Sequence, residues 1–220
     1  VAIGRVPAST PAEVQAYLDK LIAYETTQTD FLCNEDNFWR KDILHLAQGD
    51  TGEVDLNSSY LVAYQQLLES NNGYGGRVKG SFANNKFGSL NFPEIEQLLN
   101  NGVGLVQFTG NANNNGYWLT DINPPQFYQN EGRYPVMLAS AGKSGSMYDY
   151  SATGSGNMMA DFVLASESGA AAFMGNTDVA IPETANTCTT GILEQLNTLN
   201  YGQPLASCIK NATQTLLPAA

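Results

Sequence analysis

Apolar residues recur along this chain in two rhythms, every third or fourth position and in short unbroken runs, and their alternation predicts helices interleaved with buried strands. Across residues 11–27, Val14, Tyr17, Leu18, Leu21 and Ile22 share one helical face, expected to cover a sheet. Thr10-Pro11-Ala12-Glu13 opens that helix with a hydroxyl cap, a proline at the first position and a carboxylate at the third. Residues 42–47 form a buried strand closed by a turn at 49–52. A second helix, 55–70, presents Leu56, Tyr60, Leu61, Tyr64, Leu67 and Leu68, and the run Asn71-Asn72-Gly73-Tyr74-Gly75-Gly76 stops it. Residues 77–91 are expected to hold a short strand and a loop. A third helix, 92–101, ends at Gly102 and hands the chain to a strand from Val103. Further on come a helical turn after Pro124-Pro125, a strand at 135–141, a helix at 158–166 capped by Asn157, and a strand of small residues at 169–175. Small residues there imply that something packs close. Two helices, 187–199 and 204–217, close the chain. Strand, helix and strand at such spacing make right-handed crossovers in a mostly parallel sheet, so one α/β domain over 1–220 is expected, with helices on both faces.

Two strands end alike. The apolar run from Val103 breaks at Thr109-Gly110-Asn111-Ala112 and continues into asparagines before Tyr117-Trp118. The run Pro135 to Ala141 breaks into Gly142-Lys143-Ser144-Gly145-Ser146. Carboxyl ends of central strands are where wound α/β sheets meet ligands, which makes the two loops candidates to form one crevice.

These loops carry a resemblance. The chain resembles the catalytic domain of the gingipain-type cysteine peptidases, a bacterial family of caspase-like, three-layer fold. In that pattern one strand ends in a Thr-Gly-His-Gly-like motif supplying the catalytic histidine, and the next in an Ala-Cys-x-x-Gly-like motif supplying the nucleophile. Here Asn111 stands at the histidine position and Gly142 at the cysteine position. The likeness extends to Ile3-Gly4-Arg5-Val6-Pro7, Tyr24-Glu25, Ile43-Leu44 and Gly169 to Gly175. It implies a crevice lined by Gly110, Asn111, Ala141, Gly142, Lys143, Ser144 and Trp118. Domains of this kind often hold calcium as well; Asp50, Asp121 and Asp149 are eligible ligands, although no calcium loop of fixed spacing is visible.

Composition narrows the partners. The net charge of −11 disfavours nucleic acid and anionic membranes, because there is no cationic surface to exchange for counterions. No apolar run reaches the roughly 20 residues of a membrane span. Only 14% of residues are charged and the remaining polarity is neutral, which suits a secreted or cell-surface protein, and the resemblance implies a bacterial one. The chain opens on Val1, as expected of a domain excised from a longer protein, and a monomer is expected. Cys188 and Cys208 either pair or remain buried thiols, with Cys33 left over.

Chemistry decides the functional expectation. Glycine has no side chain with which to attack a carbonyl, and a carboxamide cannot carry a proton near neutral pH. Catalysis by the family's mechanism is therefore not expected, and a binding or structural module is, with a peptide or protein segment as the partner of the degenerate crevice. The alternative is an inactivated form of an active secreted endopeptidase. A rebuilt site would need Ser140, Ser144 or Ser146 with Lys143, but adjacent loop residues seldom converge, and lone aspartates such as Asp121 and Asp149 are commonly turn residues. His45, the single histidine, lies mid-strand, where a structural place on one face of the sheet is expected.

Overall fold

A computed structural model describes residues 3–29, 35–70, 73–85, 92–112, 122–146, 157–179 and 181–216. The elements in chain order are α1 (Pro11–Thr29), β1 (Asp42–Gly49), α2 (Thr51–Leu68), β2 (Arg77–Asn85), α3 (Phe92–Asn101), β3 (Leu105–Gly110), β4 (Val136–Ala141), α4 (Met158–Leu164), β5 (Ala172–Gly175), α5 (Pro182–Glu194) and α6 (Leu205–Leu216). Short 3-10 turns precede β1 and follow Pro124, and a π turn, Gln195–Leu199, extends α5.

All five strands are parallel, in the order β2-β1-β3-β4-β5. The chain steps outward from β1 to β2, then returns past β1 to β3, so the winding reverses between β1 and β3. Such a reversal leaves a gap above the strands' carboxyl ends. Alternate residues of each strand feed two cores. Leu44, Leu46, Val106 and Phe108 pack with Ile95 and Leu99 of α3 and Phe162 of α4. Ile43, Ala47, Leu105 and Leu138 pack with Leu61, Tyr64 and Leu68 of α2 and Ile192 of α5. This is the expected three-layer architecture.

The capped start of α1 forms as expected: Thr10 N donates to Glu13 Oε2 at 2.9 Å, and Glu13 N donates to Thr10 Oγ1 at 3.3 Å. Its orientation does not. Val14, Leu18 and Ile22 of the expected buried face are 42%, 45% and 61% exposed, whereas Lys20 is 2% exposed. The helix covers α4 rather than the sheet. Its anchors are polar: Lys20 Nζ donates to the carbonyls of Phe162, Val163 and Ser168 at 2.9–3.2 Å, and Tyr17 OH donates to Ala171 O. An ammonium placed on the last carbonyls of α4 meets the negative end of that helix and satisfies acceptors left over by it.

Two other boundaries move. α2 starts at Thr51, because Asp50 and Glu53 form a capping box that turns the expected loop into the helix's first turn. α5 starts at Pro182, its proline at the first helical position. Cys188 and Cys208 are both free, the first exposed on α5 and the second buried on α6, so the pairing is not made. Cys33 lies outside the described residues. Among those residues no helix is long and apolar enough to cross a membrane.

Candidate functional site

The register of β3 on β4 sets Thr109 beside Ser140 and Gly110 beside Ala141, which brings Asn111 and Gly142 to adjacent strand tips. They are close: a Cβ on Gly142 would stand 3.3 Å from that of Ala112. Gly142 has φ +34°, a backbone conformation that other residues adopt at a cost.

A cavity of about 170 Å³ opens at these tips. Gly110, Asn111, Ala112 and Gly142 line it from the strand ends. Glu53, Leu56 and Asn57 of α2 form one wall, and Asn176, Val179, Pro182 and Ala185 the other. Leu56, expected in the core, is thus a wall of the crevice, and Asn57 takes the buried position beside it.

Hydrogen bonds hold the α2 wall to the strand tips. Asn111 N donates to Gln48 Oε1 at 3.1 Å, and Asn111 Nδ2 donates to Glu53 Oε2 at 3.3 Å. Beneath them Thr109 Oγ1 donates to Asn57 Oδ1 at 3.3 Å, and Asn57 Nδ2 donates to Gln48 O at 2.8 Å. On the floor, the hydroxyls of Ser140 and Thr189 share a 2.7 Å hydrogen bond. Gln48, Glu53, Asn57, Asn176 and Thr189 were not among the sequence candidates. Only Glu53 left a trace there, as the fourth residue of Asp-x-x-Glu; Gln48, Asn57 and Thr189 are polar residues inside elements, Asn176 follows β5, and all four join the site through tertiary packing.

Three expected crevice residues do not line it. Ala141 is buried in β4, Ser144 is fully buried and Lys143 is exposed. The turn after β4 folds against β5 instead: Gly145 N donates to Asn176 O at 2.8 Å, and Ser144 Oγ lies 2.7 Å from where a Cβ of Gly175 would be. That contact requires glycine at 175; the small residues Gly169 to Ala171 of the expected strand precede β5, and Gly169 packs instead on the Phe162 carbonyl. Trp118, Tyr117, Asp121 and Asp149 lie outside the described residues. Ser146 is buried as well, so of the three serines only Ser140 reaches the cavity, paired with Thr189 and not with Lys143.

The groups that carry peptidase chemistry elsewhere are absent from the described lining. His45 is fully buried on the α2 side of the sheet, and burial lowers its pKa to about 4. Burial raises the pKa of the Cys208 thiol, away from the thiolate a nucleophile needs. Neither cysteine of the described residues lines the cavity. Asp50 serves the capping box, and among the described residues no group of three metal-ligating side chains comes together.

A five-stranded parallel sheet with a crevice at its strands' carboxyl ends and helices on both faces is the caspase-like architecture of the gingipains. A profile of Peptidase family C25 matches residues 1–219, and the chain belongs to that family. Among solved structures the fold is similar to the Arg-specific cysteine proteinase gingipain R (TM-score 0.64, 17% identity, 86% of this chain and 43% of that one). It is also similar to the complex of the pro- and mature domains of RgpB from Porphyromonas gingivalis (TM-score 0.68, 15% identity, 94% of this chain and 49% of that one). This chain therefore spans less than half the length of each solved chain. A search of curated proteins finds no match.

Proposed function

We propose that this domain of the C25 family no longer cleaves peptides and uses the crevice between Asn111 and Gly142 to bind a peptide or protein segment. It does so as part of a longer, secreted or surface-exposed bacterial protein. The observation that supports this reading is the composition of the crevice: its described lining holds no histidine or cysteine, and Asn111 and Gly142 stand there at the positions that the resemblance assigns to base and nucleophile. Removing a nucleophile alone costs several powers of ten in rate. The test is a panel of fluorogenic peptides at high protein concentration. No turnover above a boiled control is expected; turnover abolished by Ser140→Ala or Glu53→Gln would show a rebuilt active site and overturn the proposal.

A further inference from the structure

We propose that the crevice takes one uncharged, apolar side chain of an extended peptide, whose flanking residues run out over an apolar lip. This names the ligand of the site described above and rests on the reading that the site binds peptide.

Volume sets the size of the occupant. The cavity of about 170 Å³ is close to the ~150 Å³ engineered cavity that holds benzene, so there is room for one branched or aromatic side chain. The surface at the mouth sets its character. Leu56, Ala112, Pro182 and Ala185 line the cavity, and Val179 and Ile181 carry the apolar surface outward at 77% and 67% exposure. What sets these two apart from other exposed apolar residues is their place beside a concave, partly apolar site, where a bound chain would cover them.

The polar groups of the cavity point the same way, because they are largely committed to one another. Asn57 both accepts from Thr109 and donates to Gln48, and Ser140 is paired with Thr189. They make little demand on a ligand, so an apolar group loses nothing against them. Charge excludes the opposite class. Glu53 is the single ionised residue of the described lining, and no Lys, Arg or His accompanies it. An acidic side chain, or a peptide's terminal carboxylate, would enter beside a like charge with no counterion. A cation must shed its hydration against Leu56, Ala112, Val179, Pro182 and Ala185, with Glu53, whose Oε2 already accepts from Asp50 N and Asn111 Nδ2, as its one counter-charge in the described lining.

The test is a titration of the ¹⁵N-labelled chain with capped tripeptides, acetyl-Gly-Xaa-Gly-amide with Xaa Leu, Phe, Lys or Glu, and with N-acetylglucosamine. Saturable shifts at the amides of Asn111, Gly142 and Asn176 are expected for Leu or Phe, at affinities about tenfold above those for Lys or Glu. Equal or tighter binding of the Lys or Glu peptide overturns the selectivity and leaves peptide binding in place. Shifts caused by the sugar alone, or by none of the probes, overturn both. Val179→Asp, at a position where folding is not at stake, is expected to weaken the Leu or Phe peptide about tenfold; unchanged affinity overturns the lip.

Discussion

His45 is a base that the fold keeps uncharged. Both ring nitrogens are buried without a hydrogen-bond partner among the described residues, as are both polar atoms of the Gln107 side chain, its neighbour on β3. The unfolded chain takes up this proton near pH 6.5 and the folded one only near 4, because burial penalises the cation. The stability that depends on neutral His45 is thus complete above about pH 6.5 and is lost as pH falls towards 4, a loss on the order of 3 kcal/mol. Urea unfolding at pH 7 and pH 4.5 is expected to show a decline that His45→Leu flattens; an equal decline in both proteins would place the acid sensitivity elsewhere. Since replacing unpartnered buried polar groups by apolar ones removes a penalty, the double variant His45→Leu, Gln107→Leu is expected to equal or exceed the parent in stability at pH 7. Gly142 is a residue-scale site of the other kind. With φ +34° and Ala112 at 3.3 Å, Gly142→Ala is expected to cost about 1 kcal/mol, read as a lower urea midpoint with an unchanged slope.

Among the elements, α1 is rotated so that Tyr17, Lys20 and Leu21 face in while Val14, Leu18 and Ile22 face out. Lys20→Met is expected to cost about 2–4 kcal/mol, because it strips the buried Nζ donor from the carbonyls of Val163 and Ser168, while Phe162 O keeps the Ala170 N–H. Ile22→Ser, on the exposed face, is expected to stay within about 0.5 kcal/mol of the parent by thermal unfolding. The reverse ranking would mean that the apolar stripe, and not the lysine, holds the helix down. Nothing in the spacing of Val14, Leu18 and Ile22 announces this, since periodicity says which residues share a face and not which way the face points. By contrast α3 is legible to the residue, from its apolar period to Gly102 at φ +93°. α2 was misread by four residues at its start, because Thr51-Gly52 reads locally as a turn and the capping box outweighs that preference.

On the scale of the whole molecule the net charge of −11 acts against compactness. Raising sodium chloride from 20 to 500 mM is expected to raise the midpoint of thermal unfolding by screening that repulsion; a lower midpoint would mean that favourable ion pairs outweigh it. The parallel sheet and its winding were legible because each strand is an unbroken apolar run separated from the next by a helix. The site was half legible. Asn111 and Gly142 could be placed at neighbouring tips from the strand endings alone, but the walls that make a cavity of those tips come from α2 and α5, whose contribution depends on how helices pack and leaves no local mark.

The glycine-to-glycine contact behind β4 bears on how this cavity can change shape. A Cβ on Gly145 would lie 2.2 Å from the Gly175 carbonyl oxygen, so the two backbones touch and that bank of the cleft has no slack. The opposite bank is tied to the strand tips through side-chain amides: Asn111 Nδ2 donates to Glu53 Oε2, and Asn57 Nδ2 donates to Gln48 O. A guest slightly too large must therefore be admitted by the first turn of α2 swinging away, like a door hinged on one jamb, while the β5 bank stands still.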